Sequence, residues 1–213
     1  LGETLDRLQT DHTDFYIMHR DNVDVPVGEF VDVIDELHRK GKLKLWGGSN
    51  WTLPRVQAAI DYAKKNNKLV FTCLSNNFSL ARMENPVWGG CVASSTDEFR
   101  EWLTAQNTVT NFAWSSQARG FFTDRAGPDK RTDAELVNSW YSDSNFERRR
   151  RAIELAEKLG VAPINIALAY VLNQPFNQCA LVGPRTLEEL RTTLPGIRIQ
   201  LTPEQLAWLD NRA

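Results

Sequence analysis

The sequence predicts an α/β fold of the (β/α)8 barrel class. Strand-like and helix-like segments alternate along its 213 residues, and the strand-like segments are short apolar runs of the kind buried in parallel sheets. The main alternative is an open, doubly wound dinucleotide-binding sheet, which would carry a Gly-x-Gly-x-x-Gly pattern directly after its first strand. No such pattern occurs after a predicted strand, so the barrel is favoured.

Three strands are predicted in the first half of the chain, over residues 14–18, 43–50 and 68–75. Leu5 and Leu8 lie at helical spacing before the first strand, Gly41 ends the next helix, and Thr52 is the candidate N-cap of the third. Two of these helices show an inward apolar face: Phe30, Val33, Ile34 and Leu37 over 27–42, and Val56, Ala59, Ile60 and Ala63 over 52–67.

The second half continues the alternation, with strands over 108–116 and 179–185 and helices over 94–107, 145–160, 163–175 and 202–213. Ser95 and Glu98 have the spacing of a capping box at the first of these helices, and Thr202 caps the last one. A long polar connection is predicted from about Arg119 to Ser144.

Composition limits the class of function. With 42% apolar residues the chain can bury one sizeable core, so we predict a single domain over residues 1–213. Lys and Arg number 25 against 27 Asp and Glu, and a net charge of −2 provides no field that would attract nucleic acid or an anionic membrane. A small-molecule substrate fits this balance better.

Cysteine usage and hydropathy predict the compartment. The three cysteines, at positions 73, 91 and 179, are odd in number and far apart, which argues against a disulfide framework and a structural zinc site. The three histidines have no metal-ligand spacing, so no metal is expected. Because no apolar run of about 18 residues and no signal-peptide core occur, we expect a reduced, cytoplasmic protein.

His19 is the first candidate functional residue, since it closes the strand in the stretch DFYIMHRDNVDVP. The carboxyl ends of parallel strands are where α/β folds place their chemistry. A neutral imidazole N–H there can polarise a carbonyl oxygen without adding full charge. The alternative is a histidine that only bonds a neighbouring backbone group.

Five stretches together resemble the aldo-keto reductase family of NAD(P)H-dependent (β/α)8 barrels: LDRLQTDHTDFYIMHRD, GKLKLWGGSNW, AWSSQARGFF, APINIALAYVLNQP and LVGPRTLEEL. The resemblance covers essentially the whole chain and implies a partial barrel, strands four to eight. The first three strands, which in this family carry a catalytic tyrosine, lysine and aspartate, have no counterpart here. We therefore expect little activity from these residues alone, and a homo-oligomer or an N-terminal segment that completes the barrel.

The resemblance implies roles for individual residues of the first half. His19 matches the histidine that polarises the substrate carbonyl, and Ser49 and Asn50 match the pair that bonds the nicotinamide carboxamide. Asn50 could alternatively cap the following helix. Ser75 stands where the family usually has glutamine, so that contact would be lost, made through water, or taken over by Asn76.

Further cofactor contacts are implied in the second half. Trp114 matches the aromatic residue that stacks on the nicotinamide, with an ordinary core tryptophan as the alternative. The remaining cofactor-binding candidates are Ser115, Arg119, Gly120, Gly183 and Arg185. Arg185, at a helix start that favours an anion, is the strongest candidate for a phosphate, whereas Glu189 would repel a 2′-phosphate. The alternative is that Glu188 and Glu189 are simply a solvated helix start. NADP(H) and NAD(H) are therefore both retained as cofactors.

The sequence thus predicts an oxidoreductase that reduces an aldehyde or ketone with NAD(P)H as part of a longer chain. The alternative is a non-catalytic cofactor-sensing or assembly module derived from such an enzyme. This alternative is kept because no lysine is placed beside Tyr16, so nothing in the chain obviously replaces the tyrosine acid.

Overall fold

The structure is a computed structural model that describes residues 1–212, and this part of the chain contains five strands and nine α-helices. The strands are β1 (Thr13–Met18), β2 (Leu43–Ser49), β3 (Cys73–Ser75), β4 (Thr110–Ala113) and β5 (Gln178–Ala180). The helices are α1 (Gly2–Leu8), α2 (Val27–Arg39), α3 (Leu53–Lys65), α4 (Asp97–Gln106), α5 (Ala134–Trp140), α6 (Asp143–Leu159), α7 (Pro163–Leu172), α8 (Leu187–Thr193) and α9 (Pro203–Leu209). Short 3-10 turns lie at Ala118–Gly120 and Leu194–Arg198. The strands follow the order β1-β2-β3-β4-β5, which confirms the predicted α/β architecture.

The chain forms two compact units. The first contains residues 1–75 and 106–111, and the second contains residues 76–105 and those from 112 onward. The first unit therefore holds β1, β2, β3 and the start of β4, while β5 and helices α4 to α9 belong almost entirely to the second. The prediction of one domain over residues 1–213 stays a prediction.

In the first unit, parallel pairing aligns the carboxyl ends of three strands. Met18 is in register with Gly48, and Ser49 is in register with Ser75. Trp46 of β2 packs against Trp51 and Phe71, with ring centroids 5.1 to 6.2 Å apart and no solvent exposure. Aromatic rings at these separations bury large areas and fix the segment that follows β2.

Two burial predictions for the first unit were wrong. The strand β1 forms as expected, but it lies at the edge of the sheet, and Phe15 is 49% exposed. The helix α2 buries Val31, Ile34 and Asp35, whereas Val33 is 57% exposed. The carboxylate of Asp35 is buried because it accepts a hydrogen bond from the backbone of Leu69 and pairs with Arg39, and an apolar pattern does not reveal such a polar anchor.

The helix α3 has the face that the sequence predicts. Val56, Ala59, Ile60 and Ala63 are all buried. Thr52 occupies the N-cap position as expected, although its side chain accepts no capping hydrogen bond. The position of the helix start was therefore predicted correctly, and the mechanism of capping was not.

Two consecutive glycines allow β2 to approach its neighbours closely. A Cβ atom on Gly47 would lie 1.4 Å from the carbonyl oxygen of Cys73, and one on Gly48 would lie 2.4 Å from Nε1 of Trp51. Neither contact is sterically possible, so these positions require residues without a side chain.

The second unit departs from the sequence prediction in two places. The connection predicted from Arg119 to Ser144 contains the helix α5, whose N-cap Asp133 accepts a hydrogen bond from Leu136 N. The helix α4 is capped by Thr96, which accepts from Phe99 N, and not by Ser95. At α9 the predicted cap is confirmed, because Thr202 accepts from Gln205 N and Gln205 bonds back to the cap residue.

No single helix within residues 1–212 is long and apolar enough to span a membrane. The helices α6 and α7 reach that length and apolar character only when taken together, and the pair is bent by 101°.

A buried carboxylate joins distant segments of the second unit. Asp210, whose side chain is fully buried, contacts guanidinium groups at 2.7 to 3.4 Å from four arginines: Arg82, Arg100, Arg148 and Arg212. Burial acts to raise the pKa of Asp210, but the charges and hydrogen bonds of these arginines outweigh it and hold the pKa below its ordinary value.

We expect Gly47→Ala to destabilise the first unit by more than about 3 kcal/mol, or to prevent folding, because the new methyl group meets backbone that cannot move aside. Gly2→Ala is the matched control: a Cβ there has open space, and the expected change is within about 0.5 kcal/mol. Urea denaturation of both variants measures the difference. Equal stabilities would contradict the close approach of β2 and β3.

We expect Asp210→Asn to lower the free energy of unfolding by about 3–5 kcal/mol, because it leaves buried guanidinium groups without their counter-ion. Because folding lowers the pKa of Asp210, its contribution is complete above the pKa of an unfolded aspartate, about 3.9, and disappears as the pH falls through the folded value. The variant should therefore lose less stability on acidification than the unsubstituted chain. Denaturant titrations from pH 7 to pH 3 test this, with the exposed Asp124→Asn as control.

Candidate functional site

His19 is the first residue after β1, where the sequence predicts it. Its side chain is exposed, and within residues 1–212 no hydrogen bond or ion pair holds the imidazole. This finding disagrees with the alternative of a histidine bonded to nearby backbone. Since Met18 is in register with Gly48, His19 follows the strand end beside Ser49. The imidazole is thus accessible to a ligand at the carboxyl end of the sheet.

Ser49, Asn50 and Ser75 form one hydrogen-bonded group in the first unit. The hydroxyl of Ser49 donates to the carbonyl oxygen of Ser75 at 2.9 Å, and the backbone N–H of Asn50 donates to the same oxygen at 3.1 Å. The Nδ2 of Asn50 donates to Oγ of Ser49 at 3.0 Å. Ser75, which is 8% exposed, therefore contributes its backbone carbonyl to the orientation of the other two.

Asn50 is not the cap of the next helix. It lies two residues before the N-cap Thr52 and adopts a left-handed backbone conformation with φ 59°. Asparagine tolerates this region better than most residues, and strained conformations of this kind cluster at ligand sites. The geometry presents an amide side chain whose orientation is set by Ser49.

Trp114 follows β4 in the second unit and is half-buried. Its backbone is held by Asn77, whose Nδ2 donates to the Trp114 carbonyl oxygen at 3.0 Å, and by Asn76, whose carbonyl accepts from Trp114 N at 3.4 Å. Its indole Nε1 is buried and has no hydrogen-bond partner within residues 1–212. One neighbour of the ring is the indole of Trp88, 6.0 Å away at a tilt of 38°. The exposed Trp88 was not singled out in the sequence.

The other five predicted cofactor residues line a single cavity of the second unit. This cavity has a volume of about 760 Å³, and its walls include Ser115, Arg119, Gly120, Gly183 and Arg185. Three successive residues of the lining segment, Ala118, Arg119 and Gly120, have positive φ angles of 49°, 53° and 89°. The first unit has a cavity of about 600 Å³ as well, but it lies before β1 and β2 begin, at the end opposite His19.

Charges in the cavity of the second unit are largely paired. Arg119 forms an ion pair with Glu135 and lies 5.4 Å from the ring of Trp88, and Arg125 pairs with Asp133 at 2.7 Å. A backbone hydrogen bond from Leu136, together with Arg125, lowers the pKa of Asp133. The acidic partners Asp133 and Glu135 were missed in the sequence because they lie on α5 and at its start, inside a segment predicted to be a loop.

At the start of α8, where the sequence predicts an anion site, two backbone donors bond side chains of this chain. The carboxylate of Glu189 accepts from the backbone N–H of Arg185 at 2.5 Å, and Thr186 accepts from Glu189 N at 3.1 Å. The chain's own side chains therefore satisfy these donors, and α8 has only seven residues. The guanidinium of Arg185 forms no ion pair within residues 1–212, and it is the cationic group that remains for an anionic ligand.

Comparison with known proteins shows the family to which this chain belongs. The Aldo/keto reductase family model matches residues 1–212. An uncharacterized oxidoreductase of Bacillus subtilis, YrpG, is 29% identical, with 99% of this chain and 61% of that protein covered. Versiconal hemiacetal acetate reductase of Aspergillus parasiticus is 25% identical, covering 97% of this chain and 59% of that protein.

Solved structures agree in fold. The thermostable aldo-keto reductase Tm1743, crystallised with the inhibitor epalrestat, has a TM-score of 0.73 and 24% identity, covering all of this chain and 64% of that one. An aldo/keto reductase of Klebsiella pneumoniae, crystallised with NADP and acetate, has a TM-score of 0.69 and 23% identity over 99% of this chain and 62% of that one.

The chain spans about three fifths of the length of these relatives. The similarity to these structures confirms the predicted fold class, with five strands that correspond to part of a barrel. Because the family model extends over every described residue, this chain belongs to the aldo/keto reductase family.

Proposed function

We propose that this chain takes part in the NAD(P)H-dependent reduction of an aldehyde or ketone to an alcohol. One observation carries the proposal. The exposed imidazole of His19, after β1, lies at the same end of the sheet as the hydrogen-bonded group of Ser49, Asn50 and Ser75. An accessible proton donor beside an oriented amide is suited to a carbonyl substrate and a carboxamide-bearing cofactor.

In this proposal each residue of the first unit has a separate task. The imidazole N–H of His19 donates a hydrogen bond to the carbonyl oxygen of the substrate and stabilises the negative charge that develops there. Ser49 and Asn50 bond the carboxamide of the cofactor, whose reduced nicotinamide ring supplies the hydride when bound. The left-handed backbone of Asn50 and the carbonyl of Ser75 keep this pair in one orientation before the ligand arrives.

Considered by itself, the second unit has groups that fit parts of a dinucleotide. Trp114 offers an aromatic face and a buried indole N–H that lacks a partner within residues 1–212. The cavity lined by Ser115, Arg119 and Arg185 is large enough for phosphate and adenosine groups. Glu189 lines the same cavity, and its carboxylate opposes a 2′-phosphate, while Arg185 favours one, so both NADPH and NADH belong in the binding experiment.

Two of the four tyrosines, Tyr62 and Tyr170, support the second candidate, a module that binds cofactor without turnover. A hydrogen bond to Asp32 raises the pKa of Tyr62, and burial raises the pKa of Tyr170. Both shifts are opposite to the one that would make a tyrosine a better acid near neutral pH. Cofactor binding without any carbonyl reduction in the longest available form of the protein would favour this candidate.

We expect NADPH or NADH to quench the tryptophan fluorescence of the protein, and Trp114→Ala to remove most of the quenching, because an indole stacked on the ring accounts for most of the signal. Trp208→Ala is the matched control, since that indole packs against Arg151 and Lys158 on α6. Titration with both cofactors, with calorimetry up to millimolar concentration, measures the effect. No heat and no quenching with either cofactor would refute the proposed binding.

We expect His19→Ala to lower the turnover number for an aromatic aldehyde by about 10² to 10⁴, while the cofactor Kd changes by less than about threefold. The reason is that the imidazole acts on the reacting carbonyl and not on the nucleotide. The measurement is steady-state reduction in the longest form of the protein that turns over, with cofactor affinity determined separately. His12→Ala, which removes another exposed-loop imidazole, should leave both values unchanged. An unaltered turnover number in His19→Ala would exclude a catalytic role for His19.

A further inference from the structure

The loop that carries His19 has little regular structure of its own. Between β1 and α2 it runs from His19 to Pro26, and most of its residues are exposed. Its internal hydrogen bonds include one from Val25 N to the carbonyl of Asn22 at 3.2 Å and one from Asp24 N to the Asn22 side chain at 3.1 Å. A residue that must present an imidazole in one orientation needs more restraint than this.

Arg55, on the first turn of α3, supplies that restraint. Its Nε and Nη2 donate to the two carboxylate oxygens of Asp21, both at 2.8 Å. The same Nη2 also reaches the carbonyl oxygens of Asn22 at 3.3 Å and Val25 at 3.2 Å. One side chain therefore binds three residues of the loop, and the Asp21 carboxylate, only 9% exposed, lies two residues after His19.

The guanidinium is itself held in place. Its Cζ lies 5.6 Å from the ring of Trp51 and 6.0 Å from that of Phe30, and the Arg55 side chain is 18% exposed. Aromatic contacts on a planar guanidinium, together with a two-point bond to a carboxylate, define one geometry. A lysine could supply the charge at this position but not the two parallel hydrogen bonds.

Arg55 also lies close in the chain to Ser49 and Asn50, the pair proposed to bond the cofactor carboxamide. Ser49 ends β2 and Asn50 follows it, Trp51 is fully buried directly after them, and α3 starts at Leu53. The anchor of the His19 loop is thus five residues from Asn50 along the chain. A change at Arg55 would alter the placement of His19 relative to Ser49 and Asn50 while leaving each of these residues chemically intact.

We propose that Arg55 is a positioning residue, which acts through Asp21 to hold His19 in register with the Ser49 and Asn50 pair. The proposal rests on the proposed function in one respect, that His19 acts on the substrate carbonyl. The hydrogen bonds of Arg55 go to the loop, through Asp21, Asn22 and Val25. Its effect on catalysis is transmitted by the loop from His19 to Pro26.

The direct test is the imidazole spectrum of the three histidines, His12, His19 and His38, assigned with the variant His19→Gln. In Arg55→Lys the His19 resonances should shift or broaden, while those of His12 and His38 remain within their line widths. Arg39→Lys is the matched control, because Arg39 pairs with Asp35 in the same unit and Asp35 lies far along α2 from the His19 loop. Unmoved His19 resonances in a folded Arg55→Lys variant, or an equal change in Arg39→Lys, overturn the inference.

Asp21→Asn provides a second variant if Arg55→Lys does not fold, since it keeps the shape of the side chain and removes the ion pair. The same displacement of the His19 signal is expected, and its absence counts against the proposal.

In the form of the protein that turns over, Arg55→Lys should lower kcat by about tenfold or more and leave the KM for cofactor within about twofold. An unchanged kcat would overturn the positioning role. An unchanged kcat in His19→Ala would instead contradict the proposed function. Failure of the positioning role and failure of the proposed function are therefore distinguished by different variants.

Discussion

The close contact between β2 and β3 is the constraint on which the arrangement of the first unit depends. At Gly47 the strand passes so near the carbonyl of Cys73 that no side chain fits, and at Gly48 the ring of Trp51 occupies the space of a Cβ. This approach sets Ser49 in register with Ser75 and turns the chain sharply into the left-handed Asn50. The hydrogen bonds among these three residues are consequences of that packing.

The second unit is organised by charge. Asp210 draws arginines from three distant parts of the chain around one buried carboxylate, and Tyr170 and Gln174 accept further hydrogen bonds from Arg100. Such a group is stable only if every member is satisfied, because removal of one partner leaves a buried charge. Ion pairs also line the cavity of this unit, where Glu135 of α5 pairs with Arg119 and the N-cap residue Asp133 pairs with Arg125.

The two units present different kinds of candidate site. At the ends of β2 and β3 the uncharged residues Ser49, Asn50 and Ser75 are oriented by hydrogen bonds, which suits a carboxamide. The cavity of the second unit contains arginines and carboxylates in nearly balanced number, and the guanidinium of Arg185 forms no ion pair among residues 1–212.

The sequence by itself determined the alternation of strands and helices, the inward face of α3, the cap of α9 and the position of His19 after β1. These features follow from local periodicity and capping chemistry, which neighbouring residues in the chain carry. Only the tertiary structure decided the burial of Asp35, the helix α5 inside a predicted loop, the occupied start of α8, and the clamp of Arg55 on Asp21. Each of these features depends on a polar partner distant in sequence or on a backbone group that is free to form a hydrogen bond. No side-chain pattern encodes either one. A polar residue therefore looks the same in the sequence whether it is solvated or anchors a loop.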